Sequence, residues 1–212
     1  MISASTKKKV REHFDIASPF YKQLWGMHIH HGYYVTGKET KEEAQENLLK
    51  FIASRLALRP RSNVLDVGCG IGGTGIWLAG KYGCRTTGIT IAPAQVKMAK
   101  QNAENAGVSE KLEFLVDDAD KLKVHGKFDY AFAIEVLPHL HDPANFYRRI
   151  SRLIKPGGRF AISDWFKDTN LTRQQYKKYI KPINFGMMVS LSTPLDYMNY
   201  LSKNGFRIVS WN

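Results

Sequence analysis

The residues with the most chemical content lie in one stretch, Val64-Leu65-Asp66-Val67-Gly68-Cys69-Gly70-Ile71-Gly72-Gly73. It reads as a buried strand running into a glycine-rich turn, with a helix following through Ile76, Trp77, Leu78 and Ala79. Glycines at such a turn permit positive φ and let the backbone approach a ligand closely. The helix that follows presents free N–H groups and a positive dipole end to the same ligand. Asp66 is the one charge in an otherwise apolar strand. A buried carboxylate is costly unless it meets donors or a cation. At the carboxyl end of a parallel strand it faces the ligand crevice, where it suits an ammonium or a hydroxyl better than a pyrophosphate. A structural Asp that only caps the turn is the alternative. Gly68, Gly70 and Gly73 also satisfy G-x-G-x-x-G, but that dinucleotide fingerprint requires an acid about 20 residues on. The next strand, Arg85-Thr86-Thr87-Gly88-Ile89-Thr90, ends without one, and no Asp or Glu occurs between Asp66 and Glu104.

A second concentration of chemistry precedes it. His28, His30 and His31 stand among Phe20, Tyr21, Trp25, Tyr33 and Tyr34. Imidazoles ligate metals, yet no Cys, Asp or Glu accompanies them, so no metal site is expected. The aromatics suit either packing over the core or a lid closing on a flat or cationic ligand.

The elements that must position these residues follow from periodicity. A chain of 212 residues with 43% hydrophobic and 12% aromatic residues has one sizeable core and is not disordered. The net charge of +12 admits anionic partners. Its basic residues are dispersed, however, with Lys7-Lys8-Lys9 the one run of three. Nucleic acid is therefore not the expected partner. No apolar run approaches the roughly 20 residues of a transmembrane helix, no secretory core is visible, and Cys69 and Cys84 form no disulfide framework. A cytoplasmic protein is expected.

Lys7 to Phe14 reads as helical. Ala44, Leu48, Ile52 and Leu56 predict an amphipathic helix over residues 41–58, with a Thr40/Glu43 capping box. Strand and helix then alternate. A helix begins at Pro93 and ends before Gly107, a strand spans 111–116, a helix starts at Asp142-Pro143, and a strand covers 158–163. Such alternation predicts an α/β, doubly wound parallel sheet. Residues 167–192 break the pattern and suit an inserted lid. Thr193-Pro194 caps a last helix, and Phe206 to Trp211 reads as strand. The expected organisation is a cap segment at 1–58, a core at 59–166, the lid at 167–192, and the last helix and strand at 193–212.

The motif at 64–72 resembles motif I of the class I S-adenosylmethionine-dependent methyltransferases. Asp118-Ala119 resembles that family's adenine-contacting acid, Phe128 to Glu135 its fourth strand and motif IV, and Leu153 to Gly158 its turn into strand five. Trp25-Gly26 with His30-His31-Gly32-Tyr33-Tyr34 resembles the N-terminal signature of a subgroup containing the tocopherol and sterol methyltransferases, with the cyclopropane fatty acid synthases more distant. The resemblance implies a Rossmann-like fold whose final antiparallel strand is missing here. It also implies S-adenosylmethionine as cofactor and S-adenosylhomocysteine as product. The site residues it implies are Asp66, Gly68, Cys69, Gly70 and Gly72 around the amino-acid end, Thr90, Ile91 and Gln95 at the ribose, Asp118 and Ala119 at the adenine, and Ile134 and Glu135 by the methyl donor. His139, with imidazole chemistry near neutrality, is the candidate general base, His31 the second candidate, and Glu135 an orienting group. A small-molecule acceptor, methylated on C, N or O, is expected. An RNA methyltransferase, or a protein that binds the cofactor without turnover, is the alternative.

Overall fold

The structure, a computed structural model, describes residues 1–211. Five parallel strands form one sheet in the order β3-β2-β1-β4-β5. They are β1 (Asn63–Val67), β2 (Arg85–Thr90), β3 (Leu112–Val116), β4 (Phe128–Ile134) and β5 (Ile154–Ser163). Between them run α3 (Gly73–Tyr82), α4 (Pro93–Asn105) and α5 (Pro143–Leu153). The order reverses at β1: the chain moves outward through β2 and β3, then returns to place β4 on the other side of β1. A crevice opens where neighbouring connections diverge in this way, at the carboxyl ends of the strands. The residues that end β1 and β4 therefore face a common space.

Strand alternation divides the core. Leu65 and Val67 pack with Ala131, Ala133, Phe146 and Ile150 on one face, whereas Val64 packs with Phe132, Leu78, Ile52 and Leu56 on the other. Asp66 shares Val64's face, and it is 3% exposed. α2 (Lys41–Leu56) closes that face and carries both halves of the expected capping box. It stops two residues short of the expected end because Ala57 turns left-handed, at φ 49°.

Three expectations change. The helix read at Lys7–Phe14 is part of α1, Ala4–Trp25, 22 residues long. The helix continues through Pro19, and Ser18 Oγ donates to the Phe14 carbonyl at 2.5 Å. The last strand starts earlier than Gly158, at Ile154, with residues 155–158 bulged out between the Phe128–Ile154 and Tyr130–Arg159 pairs. The strand expected at Phe206–Trp211 is absent. The Phe206 N–H closes the end of α8 (Pro194–Lys203) on the Leu201 carbonyl. The tail packs through its rings, Phe206 on Phe160 and Trp211 on Phe166. β-branched and aromatic composition favours a strand only where a neighbour supplies a ladder.

Residues 167–192 hold α6 (Arg173–Gln175), a π-helical turn at Tyr176–Ile180 and α7 (Lys181–Gly186). Ile180, Val189 and Leu191 pack there with Trp165, Leu171 and Ile183 into a small core of their own.

Candidate active site

Two cavities meet at the carboxyl edge of the sheet. The first has a volume of about 120 Å³ and is lined by Gly68, Gly70, Thr90, Gln95, Asp118 and His139, among others. The second has a volume of about 170 Å³ and is walled by Tyr21, Trp25, Trp165, Met187, Val189 and Leu191. Phe14, Ile29, Glu135 and His139 border both. A smaller space of about 40 Å³ lies between the glycine turn and residues 27–30.

The glycine turn is built as its sequence demands. Gly68, Gly70 and Gly72 all have positive φ, at 77°, 51° and 87°. A Cβ on Gly68 would stand 2.2 Å from Val136 Cγ2, so a side chain there would collide with the turn after β4. Gly72 also answers a packing demand. It caps the start of α3, and a Cβ there would press on Phe114 and Ala99. Cys69 borders the small space, but its side chain packs on Gly88. Burial pushes its thiol pKa well up, with the Asp66 carboxyl adding to that.

Asp66 borders the small space with one oxygen, Oδ2, buried and without a hydrogen-bond partner. Desolvation pushes its pKa up to about 8. An uncompensated buried carboxyl at the end of a core strand fits a cationic ligand group far better than a turn cap.

The remaining expected positions converge on the first cavity. Thr90 Oγ1 donates to Gln95 Oε1 at 2.6 Å, so the two buried residues set each other's orientation, and Ile91 lies beside them. Asp117 is spent on structure: it accepts from the Asp118 and Val124 N–H groups at 2.8 and 2.9 Å. Asp118 and Ala119 line the cavity, as does Ile134. Lys7, which the motifs do not single out, reaches in from α1 to pair with both Asp118 and Asp120.

Glu135 sits at the junction with φ 56°, a left-handed backbone that is rare outside glycine. Its N–H donates to the Ser163 carbonyl at 2.8 Å. Its carboxylate accepts from the His31 N–H at 2.9 Å and meets His31 Nδ1 at 3.0 Å. His31 in turn lies edge-on to Trp25 and Trp165. His139 stands in the turn Leu137–His139 with Nδ1 3.2 Å from the Met188 carbonyl. That contact requires a proton on Nδ1 and leaves Nε2 as the basic nitrogen. Burial lowers its pKa below the ordinary value of 6.5, which keeps the ring neutral.

Asp164 was not anticipated. It is half-buried on the second cavity, accepts from the Leu137 N–H at 3.2 Å and Tyr197 OH at 3.4 Å, and leaves Oδ1 buried and unpartnered. Burial raises its pKa well above the usual carboxyl range. The signal was available, since an acid just past the end of a core strand is the argument that singled out Asp66.

Among the described residues no cluster of His, Cys, Asp and Glu could hold a metal ion, and no helix is long and apolar enough to cross a membrane.

A five-stranded parallel sheet with its ligand crevice at the reversal beside β1, entered by a glycine turn with an acid before it, defines a Rossmann-like fold of the methyltransferase type. Comparison with known proteins narrows the class. The family model described as mycolic acid cyclopropane synthetase matches residues 3–212, and the chain belongs to that family. Tocopherol O-methyltransferase of Arabidopsis thaliana is 34% identical over 172 residues, covering 75% of this chain and 49% of that protein. The 2-methyl-6-phytyl-1,4-hydroquinone methyltransferase of Synechocystis is 40% identical over 148 residues, covering 66% of this chain and 45% of that protein. The chain thus spans about half the length of these curated relatives. Among solved structures, the [4+2]-cyclase SpnF superposes with a TM-score of 0.85 at 26% identity, covering 97% of this chain and 74% of that one. The cyclopropane synthase MmaA2 of Mycobacterium tuberculosis shares the fold, with a TM-score of 0.84 at 20% identity, covering 99% of this chain and 77% of that one. The expected kinship with tocopherol methyltransferases and cyclopropane synthases is borne out.

Proposed function

We propose that the chain is an S-adenosylmethionine-dependent methyltransferase acting on a small, largely apolar acceptor. The observation that carries this reading is the pair of cavities meeting at Glu135 and His139, one lined by the glycine turn and acids, the other by aromatic and aliphatic side chains. The residues fit the cofactor: the unpartnered Asp66 carboxyl suits an ammonium, Gly68 and Gly70 leave room for close approach, and Thr90 with Gln95 suits ribose hydroxyls. When bound, the cofactor supplies an activated methyl group on a sulfonium. The chain's own contribution is positioning and exclusion of water. Glu135 and His31 brace the junction between the cavities. His139 Nε2 accepts the acceptor's proton there, while the Met188 carbonyl holds the ring in the required tautomer. Residues 167–192 act as a lid, since Met187, Val189 and Leu191 wall the acceptor cavity. A reducing compartment such as the cytoplasm suits the two free, buried cysteines.

Named relatives supply the first acceptors to try, prenylated quinols and phenols. The test is to incubate the chain with labelled S-adenosylmethionine and these acceptors and to follow S-adenosylhomocysteine by chromatography. Stoichiometric S-adenosylhomocysteine and methylated product support the reading. A second reading, favoured by the likeness to a [4+2]-cyclase, is a cyclisation in the apolar cavity with the cofactor only bound. An isomerised acceptor without S-adenosylhomocysteine would show that instead.

A further inference from the structure

Asp164 directly follows β5, at the carboxyl end of the sheet, and lines the second cavity together with Trp25, Trp165 and Glu135. Other polar side chains of that cavity have partners. Tyr21 OH lies 2.7 Å from His13 Nε2, Glu135 holds His31 Nδ1, and the Met188 carbonyl holds His139 Nδ1. Two buried atoms among its lining residues have none, Asp164 Oδ1 and His30 Nε2. His30 also borders the small space by the glycine turn. Asp164 Oδ1 is therefore the orphan, among the described residues, that belongs to the second cavity alone. A buried polar atom is costly without a partner, so the group that completes this one has to come from the cavity's occupant.

The two oxygens of this carboxyl are not equivalent. Oδ2 accepts from both the Leu137 N–H and the Tyr197 OH. Desolvation, with Glu135 nearby adding to it, keeps Asp164 protonated well above the usual carboxyl range. With Oδ2 committed as an acceptor, the proton belongs on Oδ1, which becomes an O–H donor in the wall of a largely apolar cavity. A carboxylic acid kept neutral by an apolar site is an established kind of hydrogen-bond donor. Its complement is an uncharged oxygen on the occupant.

We propose that Asp164 determines acceptor specificity: its Oδ1 binds an oxygen of the acceptor other than the atom that is methylated. This rests on the methyltransferase reading above, in which His139 meets the reacting group where the cavities join. His139 borders both cavities and Asp164 only the second, so Asp164 holds the acceptor at a point away from the methyl donor. Two polar fixed points orient a molecule that aromatic and aliphatic walls alone would leave free to turn. The acceptor class is thus an apolar molecule with a further hydroxyl or carbonyl oxygen, as in a dihydroxylated ring.

The probes are a prenylated para-hydroquinone, the prenylated arene lacking both hydroxyls, and an analogue with an aminomethyl group in place of one hydroxyl. Each is titrated by calorimetry into the full chain saturated with S-adenosylhomocysteine. Asp164→Leu is expected to weaken the quinol by about 10- to 100-fold and to leave the arene within a few fold, the scale of losing a buried hydrogen bond. Asp164→Asn keeps an acceptor for the Leu137 N–H and puts an amide donor in place of Oδ1, so it should retain most of the quinol affinity. In turnover, Asp164→Leu should raise KM for the quinol and leave kcat within a few fold. Equal weakening of quinol and arene would make Asp164 structural and overturn the proposal. A quinol that the unmodified chain binds no better than the arene would overturn it too. Loss of binding in Asp164→Asn, with the aminomethyl probe preferred by the unmodified chain, would replace it with a carboxylate that binds an ammonium. A fall in kcat at constant KM would move Asp164 to the reacting atom. If no acceptor yields S-adenosylhomocysteine, the methyltransferase reading fails, while the binding comparison still decides whether Asp164 reads an oxygen.

Discussion

The two walls of the cofactor crevice are made differently. The sheet wall is local and rigid: Asp66 is the penultimate residue of β1, Glu135 directly follows β4, and the glycines between are committed to positive φ. The cap wall has no secondary structure of its own from Gly26 to Thr40. It is held by side chains reaching from elsewhere, namely Gln45 under His28 and His30, Glu135 under His31, and Lys7 of α1 on Asp118 and Asp120. Elements with few backbone bonds open at low free energy, and ligand-gating segments are drawn from them. On the proposed function, the sheet wall holds the fixed acids and the base, and the cap wall covers them.

Breaking the sheet wall is expected to have the largest effects. His139→Ala should lower kcat by about 10²- to 10⁴-fold, the usual contribution of a positioned general base. Binding of S-adenosylhomocysteine should stay within a few fold. Because burial depresses the His139 pKa, kcat of the unmodified chain should rise through a limb below pH 6.5 and be flat above it. A limb well above that value would assign the proton transfer elsewhere.

Asp66→Asn should weaken S-adenosylhomocysteine by about 100-fold or more, the scale of removing one partner of a buried charge pair. The pH dependence carries a sign that can be checked. With a carboxyl pKa near 8, Asp66 is mostly protonated at neutral pH in the unliganded chain. An ammonium ligand requires the carboxylate, so binding releases a proton. Affinity should therefore climb with pH up to about 8 and level off above it. Stability runs the other way. The folded state holds this proton at higher pH than the unfolded chain does, so unliganded stability falls between the ordinary carboxyl range and about pH 8. Asp66→Asn should thus raise the unliganded Tm at pH 8 while destroying binding, a trade of stability for function.

Loosening the cap wall should do less to chemistry and more to closure. Gln45→Ala leaves the His28 and His30 carbonyls without their buried donor and should cost about 1–3 kcal/mol. Hydrogen exchange should rise over residues 26–40 before it rises in the sheet; uniform exchange would mean that cap and sheet are one unit. Lys7→Ala should have the smallest effect, about 1 kcal/mol for a partly buried pair, read as a Tm lower by about 2–4 °C. An unchanged Tm would show that α1 docks without the Lys7 pair, through its other contacts, among them the Ala94 N–H to Asp15 and Lys22 Nζ to Asn102.

The same contrast explains what could be read in advance. The strand–turn–helix form of motif I and the nearness of Thr90, Gln95 and Asp118 to one another were legible because each is a short-range pattern tied to a strand end. Residues of one strand end share a position along the sheet whatever else the chain does. The packing demand at Gly72 was not legible, because a glycine kept for packing looks like one kept for a ligand. Only Phe114 and Ala99, brought across from β3 and α4, separate the two uses. α1 was read short, as Lys7 to Phe14, whereas the helix runs on through Pro19 to Trp25. The strand expected at 206–211 failed because its local preference found no ladder.

Composition and spacing alone determined the alternating fold, the crevice at the sheet's carboxyl edge and the acid that faces it, because these depend on periodicity and on residues a few positions apart. Only the tertiary structure decided which atoms each imidazole meets. The surroundings of His30, His31 and His139 part according to distant atoms: the Met188 carbonyl beside His139, Glu135 holding His31, and Gln45 donating to the His30 carbonyl. Proton placement on a ring is set by the partner of its other nitrogen, and that partner is chosen in space.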